Sequence, residues 1–144
     1  MKTITGKIFT VKVSVEREKD GVWKNVKEEY ACRAVSFTDC EAKITRAISE
    51  YSSQGHAGFD ILSEAIAPYK EVYIFDEGDI FYKVKIQEID IDDNGREKKT
   101  FSYYLVNAAS FEQARKNIEK ALEGMMVDYT ISAVIEQGIL DVFE

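Results

Sequence analysis

Proline occurs once in these 144 residues, histidine once and cysteine twice. One histidine and two cysteines leave little for metal or thiol chemistry. With one proline and 8 glycines the chain is neither collagen-like nor low-complexity, and 45% hydrophobic and 31% charged residues do not describe a disordered segment. Base is the scarcer charge, 19 residues against 26 acidic ones, for a net charge of −7 and a pI near 4.9. A protein that tracks phosphates carries the opposite excess, so nucleic-acid binding is disfavoured. Apolar runs long enough to span a bilayer, about 20 residues, are missing. The opening Met1–Lys7 also lacks an apolar signal core. The expectation is a cytoplasmic protein with no membrane partner. No Gly-rich phosphate loop, nucleophile elbow or zinc-ligand spacing occurs, and no pair of carboxylates stands out. No catalytic residue, cofactor or metal site is therefore assigned, and the chain is expected not to be an enzyme.

What is there is length for one domain, able to bury roughly two-thirds of its unfolded surface, and a motif written twice. Phe9–Val15 matches Tyr82–Ile89, and the turn pairs Asp20-Gly21 and Asn94-Gly95 follow in each copy. Tyr30–Phe37 matches Tyr104–Phe111, and Tyr73-Ile-Phe-Asp76 matches Asp141-Val-Phe-Glu144. The first strands alternate with period two: Phe9, Val11, Val13 and Val15 point one way, as do Tyr82, Val84 and Ile86. Ile89 and Ile91 then fall out of step, which predicts a β-bulge near Gln87-Glu88.

Ser36 and Ser110 stand as helix N-caps. Gln113 completes a Ser-x-x-Gln capping box, and Asp39 suits the other helix's N-terminus. Behind the caps run two apolar stripes: Phe37, Cys40, Ile44, Ala47, Ile48 and Tyr51, then Phe111, Ala114, Ile118, Ala121, Leu122 and Met125. Strand-like Phe59–Ile66 and Tyr129–Ile135 follow. Copy one adds an insert, 52–58, which contains His56.

The fold class expected is α+β: two tandem ββαββ repeats, 1–77 and 78–144, forming one pseudo-twofold domain over 1–144. Its sheets are antiparallel, with one helix per repeat. A half of about 70 residues is marginal alone, so the repeats are expected to share a core. Tyr73–Phe75 and Ile80–Ile86 are expected to pair as a hairpin across the acidic turn Asp76–Asp79.

The run Asp90-Ile-Asp92-Asp93-Asn94-Gly95 imitates the start of a calcium loop, but the twelfth position is Phe101 rather than Glu, so it reads as a solvated hairpin tip. Cys32 and Cys40 match Val106 and Ala114 and read as small core residues. His56 reads as a surface-loop histidine. One constellation suggests binding: Lys12 and Arg33 on the outward face of the first hairpin, Lys85 and Asn107 in the second copy, with Tyr103 as a stacking surface. Gathered cations of this kind can hold an anion such as a phosphate.

Ala34–Ala42, Phe75–Lys85 and Met126–Val134, together with Asp141-Val-Phe143, resemble a small uncharacterised family. It is a domain of unknown function found in Bacteroidetes and in their phages and mobile elements. The shared marks are a Ser-Phe helix start, an acidic Gly turn before an aromatic-rich strand, and Asp-Val-Phe near the end. The chain departs from that pattern in its His56 insert and longer first hairpin. The resemblance implies a gut-bacterial or phage setting and carries over no functional residue. The function expected is a non-enzymatic binding protein that captures a small anionic or nucleotide-like ligand at a repeat or subunit interface, which admits a homo-oligomer. One alternative is an adaptor or inhibitor acting on a host protein through strand edges and Trp23, Tyr69 and Tyr73. The other is a nucleic-acid-binding accessory protein.

Overall fold

Alternating segments become strands and the two stripes become helices. The order is β1 (Lys2–Thr5), β2 (Ile8–Lys19), β3 (Val22–Arg33), α1 (Phe37–Tyr51), β4 (Phe59–Ile66), β5 (Tyr69–Ile74), β6 (Ile80–Ile91), β7 (Glu97–Ala108), α2 (Phe111–Ala121), β8 (Asp128–Gln137) and β9 (Ile139–Phe143). These elements come from a computed structural model that describes residues 1–51 and 58–144. The expectations placed on the Tyr51 side chain and on His56 lie outside the described residues. The architecture is α+β, with two helices and nine strands in two sheets among the described residues. The chain divides into two compact units, Met1–Thr5 with Pro68–Gln137 and Gly6–Ala67 with Gly138–Glu144. Neither coincides with a sequence half, and each is described by itself.

The unit formed by 6–67 and 138–144 holds the sheet β4-β2-β3-β9. Asp20 and Gly21 both take positive φ (55° and 78°), the two-residue turn that matches strand twist. Phe9, Val11, Val13 and Val15 are buried on one face, with Tyr30 and Cys32 of β3 and with Cys40, Ile44 and Ile48 of α1. The α1 start is capped reciprocally, with the return bond made to the residue before the N-cap rather than to the N-cap itself. Ser36 Oγ accepts the Asp39 N–H at 3.1 Å, and Asp39 Oδ2 accepts the Val35 N–H at 3.0 Å. Lys12 pairs with Ser63 but Val13 with Ile61, leaving Leu62 as the extra residue of a bulge in β4.

The other unit holds the sheet β1-β5-β7-β6-β8. Tyr82, Val84 and Ile86 are buried beside Tyr73, Tyr104 and Val106, and Ala114, Ile118 and Leu122 of the α2 segment cover them. Ser110 Oγ accepts the Gln113 N–H at 3.2 Å, and the Gln113 amide oxygen accepts the Ala109 N–H. Lys85 pairs with Ala133 and Ile86 with Ile131, so the extra residue is Ser132 in β8.

Four expectations are corrected. The sheets are mixed rather than antiparallel, because β9 pairs parallel with β3 and β5 parallel with β7. Tyr73–Phe75 makes no hairpin with β6; β5 lies between β1 and β7. The reason is that the chain does not turn back after β4 or β8. It passes through Ala67-Pro68, or through Gly138 alone, into a strand of the other sheet. The β6–β7 ladder runs without a shift from Ile80 to Ile91, so no bulge interrupts that ladder at Gln87-Glu88. The extra residue lies in the turn: the Asp92 N–H donates to the Arg96 carbonyl at 2.9 Å, leaving a three-residue loop where the first hairpin has two. Ile91, past the end of the core, is exposed. Finally, Tyr69 and Tyr73 are buried and offer no docking surface, whereas Trp23 is exposed.

Candidate functional site

Five residues were expected to form an anion site, and each unit holds a part of them. In the unit carrying β6 and β7, Lys85 and Tyr103 are direct cross-strand partners on the face opposite Val84 and Tyr104. Both rings nearby already carry a cation: Lys85 Nζ lies 4.3 Å from the Phe101 ring centre and Lys83 Nζ 4.7 Å from that of Tyr103. Asn107 shares this face by register but is only 5% exposed. Its Oδ1 accepts the Phe75 N–H at 2.7 Å, and its Nδ2 donates to the Phe75 and Gly78 carbonyls at 2.9 Å each. That amide closes the β5–β6 connection, and both of its N–H donors are spent, so it has none left for an anion.

In the other unit, Lys12 stands opposite Glu29 and Arg33 opposite Ile8, on one face but four residue steps apart along the hairpin. At about 3.3 Å per residue that is on the order of 13 Å, too far for one small anion. Lys12 is exposed, whereas Arg33 is drawn into a corner where α1 and β9 meet the end of β3.

That corner is built from the capping box outward. Asp39, fixed by Val35, also draws Lys43 Nζ to 3.4 Å, and Lys43 donates to the Arg33 carbonyl at 2.9 Å. The Val35 N–H does most to hold the Asp39 carboxyl below the usual range; desolvation opposes it, and the nearby Lys43 charge adds a smaller pull downward. Arg33 Nη2 lies 3.7 Å from Glu144 Oε1. Lys43, Arg46, Ala47, Phe143 and Glu144 line a hollow of about 150 Å³, and Phe143 packs its ring on Tyr30 at 5.3 Å between centres. An anion there would meet guanidinium and ammonium donors against an aromatic wall. Sequence reasoning found Arg33 and passed over Lys43 and Arg46, which lie outside the apolar stripe and read as a solvated face. Two cations three residues apart on one helix, in a chain short of base, were the available signal.

A second polar group occupies the same unit. Arg17 Nη2 meets Glu28 Oε1 at 2.7 Å, and the Tyr30 hydroxyl donates to the same oxygen at 3.1 Å. Burial, then the Glu28 charge, pushes the Tyr30 phenol up, and the Glu28 hydrogen bond raises Arg17. These partners satisfy one another and leave no group poised to exchange a proton. Cys32 and Cys40 are free thiols with no exposed surface, and burial pushes Cys40 up to about 12, so both are unreactive protonated thiols. At the second hairpin's tip, Asp92 Oδ1 accepts the Asn94 and Arg96 N–H groups at 2.9 Å each, an Asx-type turn. Among the described residues no group of three or more His, Cys, Asp or Glu is arranged to hold a metal. No helix among them is long and apolar enough to cross a membrane.

No curated protein and no solved structure is detectably similar to the chain. A family model does match, over residues 7–144, described as a domain of unknown function (DUF4494). The capped helices and aromatic strands described above fall within that match, and the chain belongs to the DUF4494 family.

Proposed function

We propose that the chain is a non-catalytic cytoplasmic protein that binds a small phosphate-bearing anion, such as a nucleotide, at the Arg33–Lys43–Arg46 corner. One observation carries this reading: in a chain of net charge −7, Lys43 and Arg46 converge with Phe143 on one hollow, next to Arg33. The Glu144 carboxylate sits there as an internal counter-anion, which a ligand phosphate would displace. The interaction is partly exposed, so it weakens as salt is raised. The test is thermal shift with inorganic phosphate, mononucleotides and cyclic dinucleotides. A ligand at a hundred times its dissociation constant adds about 2.7 kcal/mol of apparent stability. Arg46→Ala should abolish the shift and Glu144→Gln should enlarge it. The reading fails if no such ligand raises the melting temperature, or if Arg46→Ala responds as the parent does.

The same proposal includes the architecture: two ββαββ repeats, 1–77 and 78–144, that have exchanged their last strands. Matched detail supports it. Lys43 and Asn117 each donate to the last carbonyl of the hairpin's second strand or its neighbour, Arg33 O at 2.9 Å and Asn107 O at 2.9 Å. The bulges Leu62 and Ser132 fall at corresponding steps, and Ile139 lies beside Glu29 as Tyr69 lies beside Tyr103.

A further inference from the structure

The outer side of β4 is a surface of a different kind. Among the described residues β4 pairs only with β2, so it forms one edge of its sheet. Pairing with β2 sets Ile61, Glu64 and Ile66 opposite Val13, Val11 and Phe9, on the side that α1 covers. The helix does not reach over the edge. A hollow of about 420 Å³ opens between them, lined by Phe37, Glu41, Ile61, Leu62, Ser63 and Glu64. Its apolar rim is unusually bare: Phe37 is 46% exposed, Leu62 48% and nearby Ile66 56%. Natural edges are guarded by lysine, proline, bulges or inward-pointing charges; β4, Phe-Asp-Ile-Leu-Ser-Glu-Ala-Ile, has no lysine or proline and relies on the bulge at Leu62 and on Glu64. The Leu62 bulge divides the pairing with β2 into Phe59–Ile61 and Ser63–Ile66 and leaves the leucine exposed as an apolar anchor.

Charge selects the occupant. Glu41 and Glu64 both line the hollow, and Asp60 is exposed on the same strand. Among the described residues no ion pair involves either glutamate. The hollow beside β8 in the other unit differs. There Arg115 Nε answers Glu119 at 3.5 Å from within the chain. Burial, then the Glu41 contact, raises Glu64 above the usual carboxylate range, the state of two acids that lack a cation.

We infer that the α1–β4 groove docks an extended segment of another protein that carries a lysine or arginine and an apolar residue two positions apart, on the same face of the strand. The segment adds a short strand along Ser63–Ile66, sets an apolar side chain against Phe37 and Leu62, and places a cation between Glu41 and Glu64. This site is separate from the anion corner and stands or falls independently of it.

The test uses the full chain and two fluorescein-labelled octapeptides with threonine at every second position, the positions between carrying valine and lysine in turn in one and valine and glutamate in turn in the other. Anisotropy should show saturable binding of the lysine peptide only. Glu41→Gln combined with Glu64→Gln should weaken it about tenfold, from the loss of two pairs in a partly dry groove. The same variant removes a like-charge contact, so its melting temperature at pH 7 should not fall, which excludes misfolding as the cause. The proposal is overturned if the lysine peptide does not bind, if both peptides bind alike, or if the double variant binds as the parent does. A stable dimer that Leu62→Arg dissolves would assign the groove to a second copy of the chain and overturn it too.

Discussion

Asn107 stands by parity on the face of β7 opposite Tyr104 and Val106, the face that carries Tyr103, yet its amide is consumed by the backbone of the β5–β6 connection. Strand parity tells which way a side chain points; it does not tell what backbone arrives to cover it. Gly78 belongs to the same device. Its φ is +117°, and a Cβ there would lie 2.5 Å from the Ala108 backbone. Gly21 also has positive φ (+78°) but meets nothing within 4 Å. The two glycines therefore separate conformational cost from collision. Gly21→Ala should cost about 1 kcal/mol, and Gly78→Ala well above that, roughly 3 kcal/mol or more, since the clash is with backbone. Asn107→Ala should cost about 2–4 kcal/mol by leaving the Phe75 N–H and two carbonyls without partners. Urea unfolding at unchanged slope measures all three. A Gly78→Ala cost no larger than that of Gly21→Ala would refute this account.

At the scale of elements, the helices were legible because caps and stripes agree, and the strands because their alternation is carried by core residues such as Val11 and Val84. The second hairpin misled where it outruns its core: Ile89 and Ile91 alternate with nothing buried to hold them, so their phase carried no structural information. The two reciprocal caps use different chemistry for one job, a carboxylate at Asp39 and an amide at Gln113. That difference has a pH signature. The Asp39 carboxyl titrates below its unfolded value, held down by the Val35 N–H and then by Lys43. Its contribution is therefore complete above the unfolded pKa, near 3.9, and is lost as pH falls through the folded value. Asp39→Asn should be less stable than the parent at pH 6–7, and the gap should close as pH drops below about 4. The gap for Gln113→Ala should not vary with pH. Melting curves across pH 3–7 decide it, and a constant Asp39→Asn gap counts against the charge-assisted cap.

At the scale of the whole molecule, the partners of β5 and β9 could not be read from the sequence. Alternation assigns faces within a strand and is blind to which sheet accepts it. The chain's one proline, Pro68, marks the first crossing, where a residue that cannot donate to a ladder immediately precedes the next strand. Gly138 marks the second. The consequence is mutual dependence. Residues 1–77 contain β2, β3, α1 and β4 but not β9, so Tyr30 would lose its Phe143 cover and β3 would become an open edge. Residues 78–144 contain β6, β7, α2 and β8 but not β5, so Tyr104 would lose the stacked Tyr73, now 5.6 Å away between ring centres. A half of about 70 residues has little stability to spare, and here each half also lacks a strand of its own sheet. Purified alone, neither 1–77 nor 78–144 should show a cooperative melt as a monomer. Mixed in equal amounts, they should recover one cooperative transition and a 1:1 mass by light scattering, because each returns the strand the other needs. A half that melts sharply as a monomer would mean that the exchanged strand is an ornament to a self-sufficient fold, and the exchange would then explain nothing about how this chain holds together.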